Sequence, residues 1–171
     1  MGFSAQGNFH GSYYRIDPNA RANPETAWIF EGVKSETVGD YGFSGNGAAG
    51  FELDRADYRL GTPENTRVIA SSEDHHGSFI PVPEELLTHI TTWSGEPIDK
   101  LVRADMVYQR SDSGSQLFST GSITFCGSLL YNDADNDISR IVSNVLRRFL
   151  AADPTGRPGR SGRSGQPGQS R

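Results

Sequence analysis

Apolar residues recur at helical spacing near the end of the chain: Ile138, Ile141, Val142, Val145, Leu146 and Phe149 fall at i, i+3, i+4, i+7, i+8 and i+11. This pattern predicts one amphipathic helix with a buried face. Asn136 and Asp137 suit its start, Arg147 and Arg148 suit its last turn, and Pro154 prevents continuation. Leu117 to Phe125 reads as a strand feeding that helix, which makes half of an α/β unit. Ala104 to Arg110 and Gln116 to Phe125, joined by SDSGS, predict a hairpin. Ala27 to Val33 (AWIFEGV) and Arg67 to Ala70 (RVIA) read as strands. Val38 to Gly50, with five glycines, reads as a flexible or tightly turning loop. Pro83, followed by Glu84, Glu85, Leu86 and Leu87, opens a short helix.

Composition narrows the class. With 171 residues and 35% hydrophobic content, the chain can bury one core and has little room for two. The formal charge of −5 conceals an asymmetry. From Pro154 to Arg171 there are four arginines and no acid, which leaves 12 basic against 21 acidic residues in the body. An acidic body argues against nucleic acid as the main partner, because phosphate contacts need basic surface. The Gly, Pro, Ser and Arg of 154–171 cannot bury apolar area, so a disordered tail is expected after a folded region spanning 1–153. A single cysteine, Cys126, excludes an intrachain disulfide. With neither a secretion signal nor an apolar run of membrane-spanning length, the reading is soluble and cytoplasmic.

Several side chains invite a chemical reading. Glu52 and Asp54 project to the same side if GFELD is extended. Such a pair can orient water or hold metal ligands from outside the first coordination sphere; a helix cap or an ion pair with Arg55 or Arg59 is the plainer explanation. Glu73, His75 and His76 are three metal-capable groups at a strand end, although adjacent histidines on a turn are commonly solvated surface. Cys126 is a candidate nucleophile with His75 or His76 as base, against a buried structural cysteine. Ser122 and Phe125 precede it on the expected strand, where they can line a pocket or pack.

In order along the chain, GFSAQG (2–7), GAAGFELDRADYRLGTP (47–63), ASSEDHH (70–76), VPEELL (82–87), RADMVY (103–108) and GSITFCGSLLYNDADNDISRIVSNVLRRF (121–149) resemble the C-terminal part of the large (beta) subunit of N,N-dimethylformamidase. The resemblance implies an α/β fold, part of a class I glutamine-amidotransferase-like sheet with flanking helices. It implies hydrolysis of a linear amide by a mononuclear iron held by two tyrosines and a glutamate, with a small subunit as partner. In the family the glutamate lies in a His-x-Glu motif, upstream of the matched part; this chain has no His-x-Glu, and none of its six tyrosines matches a ligand. The chain is thus expected to be the downstream part of a catalytic subunit, with Met1 an internal start. The upstream part of that subunit would be its partner, and the chain alone would lack iron and activity. Glu52 and Asp54 would support the metal site from outside, while Glu73, Ser122 and Phe125 would line the substrate pocket. A standalone accessory module without catalysis and a cysteine hydrolase are the competing readings.

Overall fold

The computed structural model describes residues 2–5, 9–75, 79–82 and 98–151. The helix expected from Pro83, His76 and the expected disordered tail lie outside the described residues.

Two antiparallel sheets form the frame. In the first, β1 (Gly2–Ala5) lies between β4 (Glu52–Asp54) and β6 (Phe79–Pro81). The second has five strands, ordered β3 (Thr37–Val38), β2 (Tyr14–Ile16), β5 (Thr66–Ser72), β7 (Asp105–Arg110) and β8 (Gln116–Ser119). The α/β character holds, but every strand pairing among the described residues is antiparallel.

The strands read from RVIA and from the hairpin form as expected. β7 pairs with β8 from Val107 opposite Ser119 to Arg110 opposite Gln116. A bulge at Ile69 shifts the β5–β7 register. The Ile69 carbonyl there accepts the Asp17 N–H (3.0 Å), while the Ile69 side chain is fully buried.

The run from Ala27 to Val33 is not a strand. It begins with a 3-10 helix, Ala27–Phe30, behind the short helix α1 (Pro18–Ala22). Thr26, buried, donates its hydroxyl to Ala20 O (2.6 Å), and the Trp28 indole N–H reaches back to Glu25 O (2.7 Å). These local bonds outcompete the β preference of Trp28, Ile29 and Phe30.

The expected strand from Leu117 to Phe125 is also corrected. β8 stops at Ser119, Gly121 turns the chain at φ +67°, and Phe125–Leu129 forms the short helix α3. Another short helix, α2 (Ile98–Leu101), precedes β7.

The terminal helix α4 (Asp137–Ala151) matches its periodicity. Ile138, Ile141 and Val145 are buried, Val142 and Phe149 pack at the margin, and Leu146 is exposed, so the stripe is narrower than the sequence pattern. Asn136 caps its start, its side-chain oxygen accepting the Ser139 N–H (2.9 Å). The amide nitrogen of Asn136 also donates to Ser128 O, Leu129 O and Tyr131 O at 3.3, 3.2 and 2.7 Å. Asn136→Ala is therefore expected to cost roughly 2 kcal/mol, read as a lower urea midpoint at unchanged slope.

Between β4 and β5, a buried ion pair locks the turn. Arg55 Nη2 lies 2.8 Å from Asp57 Oδ2, with both side chains almost wholly buried. Burial works against the Asp57 charge, but the Arg59 N–H and the Arg55 and Arg59 guanidiniums outweigh it and hold its pKa below the ordinary value. A carboxylate with a depressed folded pKa stabilises above its unfolded pKa, and that stabilisation is lost as pH falls through the folded value. Unfolding monitored by circular dichroism should show stability dropping below about pH 4, with a shallower drop in Asp57→Asn.

Among the described residues no helix is long and apolar enough to cross a membrane.

Candidate functional site

The glycine-rich segment ahead of β4 is stitched to residues 11 and 12. Gly11 N–H donates to Gly45 O (2.6 Å), Ser12 N–H to Ala49 O (2.7 Å) and Ala49 N–H to Ser12 O (2.9 Å). The backbones approach so closely that a Cβ on Gly11 would lie 2.7 Å from Gly47 O, so this loop is tightly turned and needs glycine. Ser122 Oγ clamps its far end, accepting the Gly50 N–H and donating to Gly50 O, both at 2.8 Å. Ser122 also bridges to Leu53, and Asp54 N–H donates to Gly121 O (2.7 Å).

That bonding fixes β4. Leu53 faces the core, fully buried, while Glu52 and Asp54 are both exposed on the opposite side, as period-two geometry requires. The two carboxylates are thus adjacent, solvated and held on ordered backbone. Their neighbours Arg55 and Arg59 pair with Asp57.

Glu73 belongs to a different cluster. Arg15 Nε lies 2.9 Å from both of its carboxylate oxygens, and the Tyr13 hydroxyl donates to Asp74 Oδ2 (2.7 Å) with a longer contact to Glu73 Oε2 (3.3 Å). The hydrogen bond to Asp74, followed by burial and the charges of Asp74 and Glu73, raises the Tyr13 pKa. Tyr14 points into the core, donating to Thr120 O (2.7 Å), and burial raises its pKa strongly.

Neither Phe125 nor Cys126 has its expected place. Phe125 is buried and meets the Tyr14 ring edge-on at 6.2 Å, so it packs the core rather than lining a pocket. Cys126, expected on a strand end and buried, sits in α3 and is exposed. His75 Nε2 lies 2.6 Å from Ser72 Oγ, and that oxygen accepts the Ala104 N–H (2.7 Å). Ser72 is buried, so this pair ties β5 to the start of β7 and offers no nucleophile to solvent.

Of the five sequence-predicted site residues, Ser122 comes together with the Glu52–Asp54 strand. Glu73 is held instead by Arg15 of β2 and by Tyr13 just ahead of that strand, and Phe125 lies in the core. Tyr13, Arg15 and Ser72 were not found by sequence reasoning. The i, i+2 spacing of Tyr13 and Arg15 across the start of β2, and the i, i+3 spacing of Ser72 and His75, were the available signals.

A cleft of about 800 Å³ opens elsewhere, lined by Trp28, Tyr58, Thr66, Arg67, Tyr108 and Arg110 among others, and it contains none of the five.

The donor set for an iron held by two tyrosines and a glutamate does not fit these residues. The Tyr13–Glu73 pair carries an arginine on the carboxylate, and Tyr14 turns away from it. Among the described residues no three His, Cys, Asp or Glu side chains converge to hold a metal.

Fold and site define a mixed α/β unit with two ordered, exposed carboxylates and polar groups that brace its own elements. The family described as N,N-dimethylformamidase beta subunit-like, C-terminal matches residues 1–137. Over 158 residues the chain is 39% identical to the N,N-dimethylformamidase beta subunit of Alcaligenes sp, covering 91% of this chain and 20% of that protein. Over 155 residues it is 39% identical to the N,N-dimethylformamidase beta subunit of Paracoccus aminophilus, covering 90% of this chain and 20% of that protein. The chain belongs to the N,N-dimethylformamidase beta subunit-like, C-terminal family. It spans about one fifth of the length of these relatives.

Proposed function

We propose that this chain is the C-terminal portion of an N,N-dimethylformamidase-like beta subunit. In the intact subunit, water would cleave a formamide C–N bond to give formate and the amine. The observation that carries this reading is 39% identity over nine tenths of the chain to proteins named as that subunit. The relatives' designation as a beta subunit also supports a multi-subunit assembly, with a small subunit and the remainder of the beta subunit as partners.

The role assigned here is support rather than bond cleavage. Glu52 and Asp54, carried on a strand pinned by Ser122, are suited to accept hydrogen bonds from groups outside this chain or to orient water. The iron implied by the resemblance would be held by residues elsewhere in the subunit, and the amidotransferase-like sheet would likewise belong to the intact subunit, bordered by this antiparallel unit. A cysteine hydrolase built on Cys126 and His75 gains no support from the His75–Ser72 bond, which engages Nε2 of the proposed base.

The isolated 171-residue chain is expected neither to bind iron stoichiometrically nor to release dimethylamine from N,N-dimethylformamide. Metal analysis and amine detection check both, and steady turnover by the isolated chain would overturn the supporting role.

A further inference from the structure

Two segments far apart in sequence, 41–51 and 122–134, are bonded to each other and present apolar side chains to water. Phe43 N–H donates to Gly127 O (3.1 Å), Ser128 Oγ to Tyr41 O (2.6 Å) and Ser122 Oγ to Gly50 O (2.8 Å). The Tyr41 ring stacks on Tyr131 at 4.6 Å, and the Phe43 ring centre lies 6.4 Å from Tyr131. On this base Phe43 and Leu130 are 74% and 71% exposed, Tyr131 is exposed next to Leu130, and Phe51, whose ring tilts against Phe9, and Ile123 are exposed farther along the same two segments.

The backbone beneath is strained and held. Phe51, Asn132, Asp133 and Ala134 have φ of 61°, 53°, 54° and 64°, a region costly for side-chain-bearing residues and most of all for a bulky ring. Ser122 clamps Gly50 next to Phe51, and Asn136 gathers the carbonyls of 128, 129 and 131. Such fixed outward display opposes the hydrophobic effect unless something covers it, and clustered exposed apolar side chains mark interaction sites. Asp40, Asp133 and Asp135 are exposed at its margin.

We infer that this face is the docking surface for the preceding four fifths of a full-length N,N-dimethylformamidase-like beta subunit. The inference rests on the reading under Proposed function. Length names the occupant, because the relatives carry four fifths of their chains outside the part matched here. Complementarity requires of it an apolar surface flanked by lysine or arginine facing Asp40, Asp133 and Asp135.

The test replaces the matched fifth of the Paracoccus aminophilus beta subunit with this chain and follows amide hydrogen exchange of residues 123–131, in the chimera and in the isolated chain. Exchange in the chimera should be slower by at least about tenfold, with residues 116–119 as the comparison segment. The Phe43→Asp/Leu130→Asp variant should abolish that difference while leaving the isolated chain's Tm unchanged, because both residues are exposed. The Phe43→Ser/Leu130→Ser variant serves the same purpose if the charged one does not fold. Equal exchange in chimera and isolated chain, with the chimera soluble and folded, overturns the docking face alone. A chimera that yields no soluble subunit overturns the reading beneath it, and the face falls with that reading. An isolated chain that sediments as a dimer, lost on Phe43→Asp/Leu130→Asp, assigns the face to a second copy and overturns the inference.

Discussion

Asp105→Ala is expected to lower the unfolding free energy by roughly 2–4 kcal/mol, because it leaves three partly buried donors without their acceptor. The Asp105 side chain is fully buried at the start of β7. It accepts the Ala56 N–H at 2.9 Å, the Ser71 hydroxyl at 2.6 Å and Arg103 Nε at 3.0 Å. One carboxylate thereby joins the turn after β4, strand β5 and the entry to β7. Removing it takes the shared acceptor from a backbone donor, a hydroxyl and a cation at once and leaves a cavity where a buried side chain stood. Ser71→Ala leaves Asp105 both its backbone donor and its cation, so it should cost only about 1 kcal/mol. Urea unfolding of both variants checks the contrast. Similar midpoints for the two would mean that Asp105 does not organise this junction.

Gly121→Ala should cost roughly 2–4 kcal/mol, from two separable causes. At φ +67° an L side chain is disfavoured. In addition, its Cβ would lie 2.6 Å from Asp54 O and 2.7 Å from Asp105 O, and both are backbone atoms that cannot swing aside. Gly114 separates these causes. Its φ is +89°, but nothing lies within 4 Å of a Cβ there, so Gly114→Ala should cost about 1 kcal/mol, the conformational part alone. Thermal unfolding of the two alanine variants measures the difference, and equal losses would remove the steric half of the argument.

Gly121 also shows where sequence reasoning stopped. The β-favouring residues from Leu117 to Phe125 suggested one continuous strand, yet the strand ends when Gly121 turns toward the carbonyls of Asp54 and Asp105. Those neighbours lie many residues away, and nothing local announces them. Ala27 to Val33 failed for a partly related reason, since Thr26 bonds Ala20 O only once α1 has folded beside it, while the short-range bond from Trp28 to Glu25 O outweighs the β preference of the run. The terminal helix was legible because its signals are local: Asn136 caps three residues ahead, and Ile138, Ile141 and Val145 share a face through the helical period alone. Glu52 and Asp54 were legible for the same reason, as strand alternation fixes their common side. Glu73 was not, because its partner Arg15 arrives through β2–β5 pairing, which no short window contains. Phe125 and Cys126 were misplaced together once the strand carrying them proved to be a turn and helix.

The most direct test of the account is dimethylamine release by the chimeric Paracoccus aminophilus beta subunit carrying this chain, assembled as in its native enzyme. Release of dimethylamine from N,N-dimethylformamide by the chimera, and none by the isolated chain, is the predicted result. A chimera that folds and assembles yet releases no amine would contradict the claim that this chain supplies the C-terminal portion of such an enzyme.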